Sequence, residues 1–397
     1  MSKRLTSLLK RLSEKHKNCI TNFFLLSITL VFCLIIIEFL SGRLYHKIAP
    51  ERGRIAIDAL LLESTAGPLN STGRDLDNNP ISEIEILPYY LYRNKPFSKI
   101  ENIQQINSEG YRNGAKEFEK KKNTIRIIAI GGSTTFGWLI KDYRETWPTQ
   151  LEEILNKKFN NKIEVINAGL PGGMSSESLV AFIMKDKYLD PDIVIFHNGG
   201  NDMVPLLYDK YYPDYKYHRA IIGADKLRPG ERNLIIKSNF VKLFYAFWMR
   251  NAQLSSFRSA PEEKVELKEA ILNVKKHSAI GFERNMETLI REVKSIGAEP
   301  VIFPFHLASD EVYKLIPESM RYAQQLHPAM ILGIEKNKAV LKSLAIKYNI
   351  PYHEIEAHKI PLENFFDHTH VKPEGEKIKA EFIAQYIVPI IEKRIVK

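Results

Sequence analysis

Cysteine is almost absent from this chain. Its 397 residues include two, Cys19 and Cys33, and both lie in one apolar stretch near the amino terminus. The remainder can form no disulfide, bind no metal through thiolate and offer no catalytic thiol, and it can work in an oxidising compartment without thiol chemistry. Nucleotide signatures are missing too. There is no Gly-x-x-x-x-Gly-Lys-[Ser/Thr], and the turn at Gly131 lacks the Gly-x-Gly-x-x-Gly spacing. A concentrated basic face is also missing. The net charge is +10, but Lys3, Arg4, Lys10, Arg11, Lys15 and Lys17 stand against Glu14 alone within residues 1–18. The other half of the charge is spread over the rest of the chain, which argues against a nucleic-acid partner. His353 and His358 have no companion suited to a metal, so neither metal nor cofactor is expected.

What is present begins with an apolar run. Cys19 to Leu40 is nearly all apolar, with Asn22 and Glu38 near its ends. As a helix it would span about 33 Å, enough to cross a bilayer core. The basic tail before it puts the amino terminus in the cytoplasm. A cleaved signal peptide would have a shorter apolar region and a clear small-x-small site, so an uncleaved anchor is expected. The chain then divides into a tail (1–18), a transmembrane signal anchor (19–40), a membrane-proximal stem and packing region (41–123) and a main domain (124–397). In the stem, 64–82 is rich in Gly, Pro, Ser, Asn and Asp, which predicts a loop. It contains the sequon Asn70-Ser71-Thr72, usable only in a eukaryotic secretory pathway. Pro88 to Arg93 reads as an edge strand, Asn107 to Arg112 as a turn.

From 124 onward, strand and helix patterns alternate. Strands are expected at 125–130, 163–167, 192–197, 299–304 and 350–354, and helices near 147–159, 175–188, 264–297, 328–348 and 375–393. This order predicts a doubly wound α/β sandwich of three layers around a mainly parallel, five-stranded sheet. A long insertion at 203–262 carries five tyrosines and then an aromatic amphipathic helix from Phe240 to Trp248. Ordinary packing, a lid over the site and a surface resting on the membrane are all open for it.

Chemistry-bearing residues cluster at strand ends. Ile125 to Ile130 reads as a buried strand, and Gly131-Gly132 then turns the chain sharply into Ser133. That places a hydroxyl at the carboxyl edge of the sheet, where open α/β folds bind ligands. A serine needs a base to take its proton. His370 can be that base, and Asp367, three residues earlier, can orient its ring. Asn201-Asp202 follows the third strand; by itself it also fits a helix cap. Asp202 is expected to hold the Asn201 loop, His197 to be a satisfied polar neighbour, and His368 to point away.

Four blocks together resemble the SGNH/GDSL hydrolase superfamily: Gly131-Gly132-Ser133-Thr134, Asn167-Ala168-Gly169-Leu170-Pro171-Gly172, Gly199-Gly200-Asn201-Asp202 and Asp367-His368-Thr369-His370. The first departs from the family's name motif, with Gly132 where many members carry Asp; Gly-Gly-Ser-Thr is a familiar variant in membrane-anchored bacterial members. The resemblance covers 124–397 and implies a flavodoxin-like SGNH hydrolase fold. It assigns an oxyanion hole to the backbone N–H groups of Ser133 and Gly169 and the side-chain amide of Asn201. It further implies a serine esterase, with O-acetyl groups on an extracytoplasmic glycan as the leading substrate. Two alternatives stand beside it: an O-acyltransferase to a polysaccharide hydroxyl, and a non-catalytic glycan-binding protein on the same fold. The lysine- and isoleucine-rich composition leans towards a bacterium, which would put the domain in the periplasm or on the cell surface. Oligomeric state is not readable from the sequence.

Overall fold

The structure is a computed structural model. It describes residues 2–50, 54, 57, 68–74, 80–87, 91–100, 102–116, 119–216, 218, 229–248, 265–321, 323–355 and 359–395. His358 and Pro88 therefore lie outside the described residues. The chain forms two compact units, one from 1–65 with 222–256, the other from 66–221 with 257–397.

The first unit is built on a helix from Ser2 to Ile48. Within it, Asn22–Ile48 is long and apolar enough to cross a membrane, with none of its most apolar window buried. Two shorter helices, Pro229–Lys237 and Asn239–Trp248, belong to the same unit. Tyr45, Ala49, Ile57, Ile235 and Ala246 form its small core.

The second unit is the α/β sandwich. Its sheet consists of β1 (Ile125–Gly131), β2 (Ile163–Gly169), β3 (Ile193–His197) and β4 (Glu299–Ile302). All pairs are parallel, in the order β2-β1-β3-β4. Strand residues alternate between two cores, although the strands read as continuous apolar runs. Ile127, Ala129, Val165, Ile193 and Ile195 face α2 (Trp147–Phe159) and α7 (Pro373–Ile395). Ile128, Ile130, Ile166, Val194 and Phe196 face α3 (Ser175–Met184), α4 (Leu267–Lys276), α5 (Ile280–Ser295) and α6 (His327–Tyr348). Both sheet faces are thus covered, as an all-parallel sheet requires. Each buried Ile, Leu or Phe stabilises the unit by about 1.5–3 kcal/mol. The connection from β1 runs through α2 to β2 on one face. The next returns through α3 to β3 on the other. That reversal opens a crevice at the carboxyl ends of β1 and β3.

Three expectations need correction. The sheet has four ladder strands, not five: segment 350–354 adds a single parallel bridge, Ile302 to Tyr352. Pro351 has no N–H to extend a ladder, and β4 ends at Ile302. The helix expected over 264–297 is two, because His277 is extended (ψ 139°) and closes α4. Much of the loop predicted at 64–82 is strand: Pro68–Arg74 and Pro80–Leu87 pair antiparallel, and Leu91–Asn94 adds to the second. The alternation Ile84, Ile86 signals that pairing; the sequon residues, which have no such pattern, lie on its partner.

The stem is also not separate from the sandwich. Residues 91–116 pack into the second unit through buried polar contacts. Arg112, fully buried, donates to the carbonyls of Phe136 (2.9 Å), Gly137 and Ile140. Asn113 exchanges hydrogen bonds with Val165 and Asn167 of β2, both at 2.9 Å.

Candidate active site

The crevice holds a cavity of about 170 Å³ lined by Ser133, His197, Asn201, Phe305, Met330 and His370, among others. Ser133 opens α1 (Ser133–Phe136), a one-turn helix set directly on the end of β1. Its position is fixed from both sides. Arg112 binds the carboxyl end of α1, and the Trp147 indole N–H donates to Thr134 O at 3.2 Å. Being first in a helix, the Ser133 N–H has no intrahelical acceptor, and none is found among the described residues.

His370 arrives from the loop before α7. Its Nε2 lies 2.7 Å from Ser133 Oγ, across 237 residues of chain. Its Nδ1 lies 2.7 Å from Asp367 Oδ2. Because the carboxylate only accepts, Nδ1 carries the proton and Nε2 faces the hydroxyl as an acceptor. The other carboxylate oxygen is saturated: Asp367 Oδ1 accepts from Thr369 N (2.7 Å), Thr369 Oγ1 (2.9 Å) and His370 N (2.7 Å). Burial alone would raise the Asp367 pKa. The neighbouring His370 ring and these hydrogen bonds outweigh it and hold the carboxyl well below the usual range. Thr369 belongs to the site through these contacts and carries no sequence motif of its own. The signal is Asp367 two residues earlier, since an Asp side chain commonly accepts the backbone N–H two residues on.

Asn201 stands opposite. Its Nδ2 donates to Gly173 O at 2.8 Å, leaving a second N–H for the cavity. The amide presses on Gly132: a Cβ there would stand 2.9 Å from Asn201 Nδ2 and 3.3 Å from Gly173 O. Asp202 anchors the turn, accepting from Ser175 N (3.0 Å), from Ser175 Oγ and from Tyr215 Oη (3.0 Å). Burial pushes its pKa up to about 6 despite those donors.

Gly169 does not join the site as expected. Its N–H donates to Asn167 Oδ1 at 3.0 Å, and its Cα lies so close to α1 that a Cβ would meet Phe136 N at 2.1 Å. Here glycine serves the packing of β2 against α1. The wall facing Ser133 is formed instead by Gly173, four residues on.

The remaining histidines are placed as follows. His197 Nδ1 donates to Phe303 O at 2.8 Å, and burial, reinforced by the Lys379 charge, drives its pKa down to about 3. It is a neutral wall residue. His368 turns its ring onto Tyr313, centroids 5.9 Å apart, and burial brings its pKa to about 4. His353 stacks on Tyr386 at 3.7 Å. Among the described residues no group of three His, Cys, Asp or Glu side chains is arranged to hold a metal.

The family model for GDSL-like lipase/acylhydrolase domains matches residues 129–378. The chain belongs to that family. It is a hydrolase, of the superfamily that the four sequence blocks resemble, and its general activity is ester cleavage. No curated protein matches the sequence. Among solved structures, this hydrolase is similar to a GDSL-like lipase from Bacteroides thetaiotaomicron at 14% identity, covering 70% of this chain and 93% of that one, with a TM-score of 0.40. A lipase/acylhydrolase from Enterococcus faecalis aligns at 16% identity over 66% and 95%, with a TM-score of 0.38. A variant of an acetyl-xylooligosaccharide esterase from Geobacillus aligns at 14% over 67% and 95%, also at 0.38. At such identities and scores these likenesses say nothing about substrate.

Proposed function

We propose that this hydrolase is a serine esterase that removes short acyl groups, O-acetyl foremost, from glycans or other envelope esters outside the cytoplasm. The observation that carries the reading is the pair of 2.7 Å contacts linking Ser133 Oγ to His370 and His370 to Asp367. In the first half-reaction, Ser133 Oγ bonds to the ester carbonyl carbon while its proton passes to His370 Nε2. The oxyanion is received by the Ser133 N–H and the free N–H of Asn201. Collapse breaks the ester C–O bond, and His370 returns the proton to the leaving alcohol. Water then repeats the sequence on the acyl-enzyme, giving the free acid and Ser133. Asp367 stays ionised throughout and supports the imidazolium.

The small cavity favours an acetyl-sized group. The apolar helix favours a membrane anchor at 19–40, with the basic tail of 1–18 in the cytoplasm and the α/β unit outside, in the periplasm or at the surface of a bacterium. Among the described residues no contact favours transfer to a sugar hydroxyl over transfer to water. The test is the full chain in vesicles or detergent with short-chain acyl esters and acetylated oligosaccharides, beside Ser133→Ala. Acetate released by wild type alone, with both proteins equally folded, supports the reading. Equal turnover by Ser133→Ala refutes it, and acetylated sugar as product would make the enzyme a transferase.

A further inference from the structure

The expected insertion at 203–262 divides between the two units, and its aromatic helix stays with the membrane-type helix. The reason is Glu38. A carboxylate inside an apolar run is costly unless its oxygens are hydrogen-bonded. Glu38 Oε2 accepts from Ser238 Oγ at 2.7 Å and from the Phe240 N–H at 3.1 Å, and Oε1 accepts from the Asn239 N–H. Ser238 immediately precedes helix Asn239–Trp248 and the two N–H groups belong to its first turn, so Glu38 caps it from a distance of two hundred residues. A Cβ on Gly42 would stand 3.1 Å from Asn239 Nδ2, so the Asn239 side chain lies directly against the long helix there. One turn further, the Lys242 ammonium lies 4.7 Å over the Tyr45 ring.

The helix so fixed has two apolar faces. Val241, Tyr245 and Ala246 pack in the unit's own core. Phe240, Phe244, Phe247 and Trp248 stand on another face at i, i+4, i+7 and i+8, and all are exposed, Trp248 by 76%. Leu234 and Ile236 of the preceding helix are exposed beside them in sequence, as are Phe39, Leu40 and Leu44 on the long helix. The apolar surface of the long helix thus continues onto this one, at the level of residues 38–45. That level is the end of a bilayer-length span beginning near Asn22.

We propose that helix Asn239–Trp248 lies in the bilayer interface, with its aromatic stripe inserted among lipid acyl chains and headgroups. The occupant of the exposed face is the same bilayer that the long helix enters. Rings suit this level, where aromatic side chains collect at the membrane–water boundary. Glu38 sets the depth, and the insertion becomes a second membrane contact. This proposal rests on the anchor reading of the long helix and is independent of the esterase reading.

The test uses the full chain reconstituted in phosphatidylcholine vesicles whose acyl chains carry bromine either near the headgroup or near the terminal methyl. The Trp248 signal is the difference between wild type and Trp248→Phe. The expected result is loss of most Trp248 emission to shallow bromines, a smaller loss to deep ones, and protection from aqueous acrylamide. In Glu38→Ala the shallow quenching should fall while resistance to alkaline carbonate extraction persists. A carbonate-resistant chain whose Trp248 is unquenched and open to acrylamide overturns the proposal and leaves the anchor standing. Trp248 shielded from both quenchers also overturns it, by showing a protein cover. Release of the chain by carbonate removes the anchor and the proposal together, while ester cleavage in the same sample reports on the active site separately.

Discussion

Ser133, His370 and Asn201 depend on neighbours that do no chemistry themselves. Gly132 is the clearest case, because its missing Cβ is what lets the Asn201 amide approach. Gly132→Ala should lower kcat by about 10²-fold through displacement of that amide, with little change in unfolding temperature; steady-state kinetics and a thermal melt check both halves. Asn201→Ala should lower kcat by about 10²–10³-fold, the usual loss for one oxyanion donor. If kcat stays at the wild-type value, the Asn201 assignment is wrong. Thr369, which accompanies both Asp367 oxygen and His370 ring, has its own test. Thr369→Val removes one of three donors to Asp367 Oδ1, so kcat should fall less than in Asp367→Ala, measured on the same ester.

At the scale of elements, α1 is too short to hold itself. A one-turn helix gains almost nothing from its own hydrogen bonds, so its place comes from Arg112 and Trp147. Arg112 is buried yet cationic; burial brings its pKa only down to about 9, with Glu376 and Asp142 opposing. Arg112→Leu takes a donor from three carbonyls; Phe136 O keeps Asn167 Nδ2 and Gly137 O keeps the Ile140 N–H, while Ile140 O loses its donor. The change should cost about 1–3 kcal/mol and lower the unfolding temperature by roughly 2–12 °C. A melt unchanged within error would show that α1 is held by something else. Buried carboxyls add a pH dependence. Asp186, bound by Tyr111 Oη at 2.6 Å, is raised by burial from 3.8 to about 6. The folded state therefore binds more protons than the unfolded one between those values. Stability falls as pH rises through that window and returns as pH drops. For a shift of this size the swing is about 3 kcal/mol. Asp186→Asn should flatten that part of the profile, read by denaturant melts on either side of the window. Asp367, whose carboxyl is depressed, works with the opposite sign and only in more acid solution.

For the whole molecule, the division of contacts differs from the division of composition. The sequence reads 41–123 as a membrane-proximal stem and packing region; residues from 66 onward belong to the α/β unit, while 222–256 leaves it for the N-terminal helix. A chain beginning at residue 124 should be insoluble, because it lacks the buried contacts of Arg112 and Asn113. A chain of 66–397 with 222–256 replaced by a short Gly/Ser linker should be soluble and should cleave esters. Sedimentation after expression and an ester assay decide the two cases.

The sequence by itself determined the parallel core, the anchor-length apolar run, and the residues carrying the family likeness, Ser133, Asp367 and His370 among them. These are local patterns: β-branched runs ending in glycine, twenty-odd apolar residues, and polar residues set at strand ends. Only the tertiary structure decided what depends on three-dimensional neighbours. It committed the Gly169 N–H to Asn167, brought Gly173 to the wall instead, and reduced the fifth strand to a bridge at Pro351. It also joined Glu38 to a helix two hundred residues away. A hydrogen-bond donor has only so many protons to give, and which acceptor takes each is settled by distance in the fold, which chain order does not encode.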